Sequence, residues 1–192
     1  MEGLLPKLYG DDAVEIPGAR SLLQDLIARS APWTIVTSGT VPLVTGVRSI
    51  YISALHQSPF PLHPQQDKTK QTHTNPVPQQ WLNVLSLPTP QHIVTAESVT
   101  NGKPDPACYA LGRERLGLAG ADKRVLVFED SPAGIIAGKE AGCKVLAVVT
   151  SHTAEQVLSA KPDWVVRDLA SVRLVRAEGG EVVLEVRDAL VV

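Results

Sequence analysis

Two adjacent carboxylates close an apolar run in Val125-Leu126-Val127-Phe128-Glu129-Asp130, and the turn Ser131-Pro132-Ala133-Gly134 follows at once. The pattern predicts a buried strand that delivers acid groups to the carboxyl edge of a parallel sheet, with a helix opening just beyond. Neighbouring carboxylates repel each other, so such a pair calls for a cation, and Mg²⁺ suits one or two protein carboxylates together with phosphate oxygens. A solvated strand end with a helix cap is the plainer alternative for the same residues.

Two further segments bear on that choice. Trp33-Thr34-Ile35-Val36-Thr37-Ser38-Gly39-Thr40 is a short apolar strand that ends in hydroxyls and glycine. Such a turn can offer O–H and backbone N–H donors to a phosphate; an ordinary Ser/Thr cap is its alternative. Asn101-Gly102-Lys103-Pro104-Asp105-Pro106 sets a lysine in a loop stiffened by two prolines, a candidate for a fixed charge. Asp105 is the expected cap of the next helix, with Pro106 at its first position.

In this order the three segments resemble the haloacid dehalogenase-like phosphohydrolase superfamily. Within it they are similar to the small sugar-phosphate and polyol-phosphate phosphatases of the fungal glycerol-1-phosphatase and 2-deoxyglucose-6-phosphatase type. Thr37 matches the second motif, Lys103 the third and Glu129-Asp130 the fourth. The likeness runs over about residues 3–46 and 81–186. It implies a doubly wound, Rossmann-like α/β core and phosphoryl transfer through an aspartyl-phosphate. One carboxylate attacks phosphorus, and an Asp two residues later protonates the leaving alcohol. By the same resemblance Thr37, Ser38 and Gly39 bind phosphoryl oxygens, Lys103 binds phosphate and the nucleophile, and Glu129 and Asp130 hold Mg²⁺. The implied substrate is a small phosphorylated sugar or polyol.

One motif of the resemblance is missing. No strand ending in Asp-x-Asp-Gly-Thr occurs, and the paired acids upstream of Thr37 are Asp11-Asp12, which read as a linker turn beside Gly10. Residues 1–18 are therefore expected to be the end of a cap and its linker. Residues 19–192 are expected to form the core, lacking its first central strand and the helical cap. Two parallel strands would then each keep an unpaired edge. A chain of this kind is expected to be marginally folded and inactive alone. A non-catalytic remnant that binds phosphate or a partner is the alternative.

Residues 47–80 break the pattern, with prolines at 59, 61, 64, 76 and 78, histidines at 56, 63 and 73, and six glutamines. No helical or strand period continues through them, so they read as a disordered insert. Without the insert, residues 40–46 run into 81–85 as one amphipathic helix. Codons permitted at Val47-Arg48, Thr74-Asn75 and Gln80 match splice signals, which suggests a retained in-frame intron. A His-rich metal loop is the rival reading, although His56, His63 and His73 are irregularly spaced for a compact ligand set.

The remaining elements must carry these residues. Helices are expected over 19–31, 106–116, 133–141 and 153–159, and strands over 34–37, 93–95, 125–128, 145–149 and 164–166. Residues 169–175 are ambiguous, and Glu178-Gly179-Gly180-Glu181 reads as a hairpin turn between 172–176 and 182–186. Trp33 and Trp164 are expected to pack between helices and sheet, and Gly134, Gly138 and Gly142 to permit close helix–sheet approach. At 192 residues and net charge −2, with acids and bases interspersed, the chain offers no basic stripe for nucleic acid and no polybasic patch for a membrane. Cys108 and Cys143 read as buried thiols. The expectation is a cytoplasmic monomer.

Overall fold

The computed structural model describes residues 10–40, 85–120 and 124–190. The insert read over 47–80, Trp81 and most of the helix spliced from 40–46 and 81–85 lie outside the described residues. Asp11-Asp12 sit exposed in a 3-10 turn, Gly10–Asp12.

The chain enters its first described helix, α1 (Ala19–Ala28), through Gly18 at φ 84°. A Cβ at Gly18 would stand 2.3 Å from the Ala170 nitrogen, so only glycine lets these two backbones touch. Strands β1 (Ile35–Val36) and β2 (Ile93–Val94) pair in parallel, Ile35 beside Ile93. A second parallel ladder joins β3 (Leu126–Glu129), β4 (Lys144–Val148) and β5 (Trp164–Val166), with β4 at its centre. The chain ends in an antiparallel hairpin, β6 (Val172–Glu178) and β7 (Glu181–Val186), closed by Gly179-Gly180, both at positive φ.

Alternation along β4 divides the core. Val145 and Ala147 face one cluster with Cys108 and Tyr109 of α2 (Ala107–Arg115), Ile135 and Ala137 of α3 (Pro132–Glu140), and Val157 of α4 (Ala154–Ser159). Leu146 and Val148 face the other, with Leu22 of α1 and Val172 and Leu174 of β6. Val145, Leu146 and Ala147 are fully buried, which explains why β4 reads as an unbroken apolar run. The α/β class with parallel strands between two covering layers is as expected, but one face is covered by a helix and a β-hairpin rather than by helices alone.

Other details depart from the sequence reading for identifiable reasons. Residues 169–175 are not one helix: a 3-10 turn, Leu169–Ser171, capped by Asp168 at 2.9 Å, passes straight into β6. Val172 and Leu174 are buried there while Arg173 and Val175 are exposed, a strand period. Trp164 is 40% exposed at the start of β5 and does not pack between the layers. The three glycines differ in role: Gly138 lies against Val145 and Val127, Gly142 ends α3 at φ 74°, and Gly134 serves the site described next. Among the described residues no ladder links β1 to β3, so each of these parallel strands pairs on one edge only.

Candidate active site

Those two strands border the same open cleft, of about 430 Å³, together with the end of β4. Thr37, Ser38, Gly39, Lys103, Glu129 and Asp130 all line it, so the structure gathers every residue that the motifs singled out. A smaller hollow of about 130 Å³, between Arg29–Pro32 and the β6–β7 turn, contains none of them.

Each residue is placed by local chemistry. Thr37 N–H makes the last rung beyond β1, to Val94 O at 2.9 Å, and its Oγ1 accepts Gly39 N–H at 3.0 Å. Gly39 O accepts Ala96 N–H at 3.1 Å, so the turn is tied to the chain beyond β2. With its oxygen engaged in this way, the hydroxyl proton is what Thr37 can donate to an anion. Lys103 follows Gly102 in a loop with a cis Lys103–Pro104 peptide. Asp105 Oδ1 accepts Ala107 N–H at 2.9 Å, so the expected cap is present, although α2 starts one residue later than expected.

Glu129 and Asp130 point to opposite fates. The Glu129 carboxylate turns inward and is 7% exposed. Its Oε2 accepts Asp130 N–H at 3.1 Å, Ser131 N–H at 3.2 Å and Ser131 Oγ at 3.0 Å. Its Oε1 accepts from the Lys103 ammonium and the Tyr109 hydroxyl. Gly134 makes room for it: a Cβ there would stand 2.1 Å from the carboxylate carbon. The two amides just before α3 thus meet a negative charge, which also lies at the helix N-terminus, where it is favourable for the helix dipole. Ser131 Oγ accepts Gly134 N–H at 3.1 Å and caps the same helix. Asp130 instead stays at the rim, where its Oδ2 accepts from Thr150 Oγ1 at 2.9 Å and Ser151 Oγ at 2.8 Å. Ser151 Oγ in turn lies 2.9 Å from His152 Nδ1.

Burial, then the charge and hydrogen bond of Glu129, push the Tyr109 phenol well above its ordinary value, so it remains a donor. Burial pushes the Cys108 thiol up despite the nearby Lys103 charge, and does the same to Cys143. Neither cysteine is poised as a thiolate nucleophile. Lys103 and Glu129 form a buried ion pair, their side chains 12% and 6% exposed.

This geometry bears on the expected metal. Asp130 stands where a carboxylate can share Mg²⁺ with a bound phosphate, a donor set that suits the ion. Glu129, expected as the second ligand, does not fit as placed, because both its oxygens are taken up by donors, one of them a full positive charge. Among the described residues no group of three or more His, Cys, Asp or Glu side chains could hold a metal by itself. His56, His63 and His73 of the rival metal loop lie outside the described residues.

Sequence reasoning did not single out Tyr109, Thr150 or Ser151 as parts of this site. The signal for the last two was present: Thr150-Ser151 follows an apolar strand just as Thr37-Ser38 does. Tyr109 gave no such signal, because an aromatic in the first turn of an apolar helix face looks like core.

The sequence profile of the haloacid dehalogenase-like hydrolases matches residues 7–142. The chain belongs to that family. It is 31% identical to glycerol-1-phosphate phosphohydrolase 1 of Saccharomyces cerevisiae over 99% of this chain and 66% of that protein. It is 37% identical to 2-deoxyglucose-6-phosphate phosphatase 2 of the same yeast over 53% of this chain and 43% of that protein. The chain thus spans less than two thirds of these relatives' length. A crystal structure of a hydrolase from Pseudomonas syringae superimposes with a TM-score of 0.60 at 20% identity, covering 87% of this chain and 61% of that one, which establishes the shared fold.

Proposed function

We propose that this chain carries the phosphoryl-binding part of a phosphatase that hydrolyses a small sugar or polyol phosphate monoester with Mg²⁺. The convergence of Thr37, Lys103 and Asp130 on one cleft is the observation that carries this reading. The substrates in the names of the two yeast relatives, a polyol phosphate and a sugar phosphate, support the substrate class.

In this reading the Thr37 hydroxyl donates to a phosphoryl oxygen, and the Ser38-Gly39 turn lets backbone approach the anion. The Lys103 ammonium has three protons and directs one to Glu129, so the others serve the phosphate. Asp130 holds Mg²⁺, and Glu129 anchors Lys103. When bound, the ion neutralises charge on the transferring group. The arrangement stabilises charge where it builds up in phosphoryl transfer. Hydrolysis through an aspartyl-phosphate also needs a carboxylate nucleophile, and these 192 residues contain no Asp-x-Asp pair. We therefore assign them phosphate binding without turnover of their own, residues 1–18 being linker and 19–192 core. A second reading, a phosphate- or partner-binding pseudoenzyme, is favoured by the engagement of both Glu129 oxygens.

Two buried free thiols support a reducing, cytoplasmic setting. We take the chain to act there as a monomer.

The test is calorimetric titration of the purified chain with inorganic phosphate and MgCl₂, beside a phosphate-release assay on glycerol-1-phosphate and 2-deoxyglucose-6-phosphate. Losing one hydrogen bond to a charged group in Thr37→Val should weaken phosphate binding by about tenfold or more. Phosphate release should not exceed the buffer rate. Unchanged affinity in Thr37→Val contradicts the site. Release that vanishes in Asp130→Ala contradicts the assignment of inactivity and makes the chain an enzyme in its own right.

A further inference from the structure

Among the described residues, Tyr109 is a buried titratable group beside the cleft to which the phosphate reading gives no work. It lies in the first turn of α2, 6% exposed, yet its hydroxyl reaches across to the floor of the cleft. Two contacts link it to Lys103. The ammonium lies 5.1 Å from the centroid of the Tyr109 ring, within range of a cation–π attraction. The phenol and the ammonium also donate to the same oxygen, Glu129 Oε1.

We propose that Tyr109 is the positioning residue of Lys103: its ring supports the ammonium from one side while its hydroxyl divides Glu129 Oε1 with it. This inference rests on the phosphate-binding reading of the cleft. A lysine is a compact charge on a four-carbon stem and takes no fixed direction by itself. Glu129 alone would draw it down into the carboxylate. A second donor on the same oxygen weakens that pull, and an aromatic face beneath the ammonium fixes its height. The remaining ammonium protons then point into the cleft. The core reading of Tyr109 predicts none of this, since a phenylalanine would fill the same space equally well.

Tyr109→Phe tests the point, because it keeps the ring and removes only the shared donor. Inorganic phosphate affinity of the intact chain should fall about three- to tenfold, the effect of one hydrogen bond acting through Lys103. The second readout is the ammonium nitrogen–proton correlation of lysine-labelled chain at low temperature. Lys103 should give a slowly exchanging signal in the native chain that broadens or vanishes in Tyr109→Phe; packing alone leaves it unmoved. Tyr109→Leu, which also removes the ring, should weaken phosphate further. Should that variant fail to fold, the phenylalanine variant decides alone.

Unchanged affinity and an unchanged ammonium signal in Tyr109→Phe overturn the positioning role, and so does either one alone. Thr37→Val keeps the two levels apart. If it weakens phosphate while Tyr109→Phe does not, the positioning role fails and the phosphate site stands. If neither variant changes phosphate affinity, or the native chain binds no phosphate, both readings fall.

Discussion

Glu129 shows how much a single buried carboxylate depends on the residues around it. Two backbone amides, a serine hydroxyl, a phenol and an ammonium all donate to it. Glycine at 134 is what allows the carboxylate to lie against α3. Gly134→Ala should therefore expel it and cost about 1–3 kcal/mol, the usual cost of overpacking, measurable by urea unfolding. A variant as stable as the native chain contradicts that close approach. Asp163 makes a separate node away from the cleft. Burial raises its pKa, but donors at Lys144 (2.7 Å), Val145 N–H (2.9 Å) and Lys139 (3.1 Å) outweigh that and hold it below the ordinary carboxylate range. A depressed pKa stabilises the fold above the unfolded value, near pH 4, and the benefit is lost as pH falls through the folded value. Asp163→Asn should thus cost about 1–2 kcal/mol at pH 7, with the gap to the native chain closing in acid. A gap independent of pH argues against the ion pairs. At this scale the motif residues were legible because strands ending in acids or hydroxyls advertise a sheet edge. Tyr109 was not, since a buried aromatic and a buried donor look identical in sequence.

The elements follow from patterns that sequence exposes unevenly. Helix α3 begins where Ser131-Pro132 dictates, a side-chain cap followed by proline at the first position, and it stops at Gly142. Ser131→Ala removes both that cap and one donor to Glu129, and should destabilise the chain by about 1–2 kcal/mol in thermal or urea melts. Ser131→Thr should recover most of the loss; failure to do so would place the cost in packing rather than in capping. Ile135, fully buried between α3 and the sheet, should cost about 2–5 kcal/mol when cut to alanine. The segment after Asp168 was harder to read. Its hydrophobic spacing suits a helix or a strand, and only pairing with β7 and contact with α1 decide for the strand. Trp164 misled for a related reason, because side-chain size says nothing about which face of an edge strand meets the core.

For the molecule as a whole, the sequence conveyed a doubly wound α/β layer, and the structure agrees. The β-hairpin that covers one face was legible as a hairpin but not as a cover, since its docking onto Leu22 and Leu146 is a long-range fact. The divided parallel sheet has a consequence for dynamics. β4 is paired on both sides and fully buried at its centre, whereas β1 is two residues long, half-buried and, among the described residues, paired on one edge. Amide hydrogen exchange should therefore be slower in β4 than in β1 by at least about tenfold, because the least-supported units open first. Equal protection would contradict this difference in support between β1 and β4. The cleft is lined by residues from both of these regions. The most direct test is a crystal structure of the chain grown with MgCl₂ and saturating inorganic phosphate. The account predicts the anion within about 3.2 Å of both Thr37 Oγ1 and Lys103 Nζ, on the side of the cleft that Asp130 borders. Phosphate bound elsewhere on the protein, with Thr37 and Lys103 touching none, would contradict it.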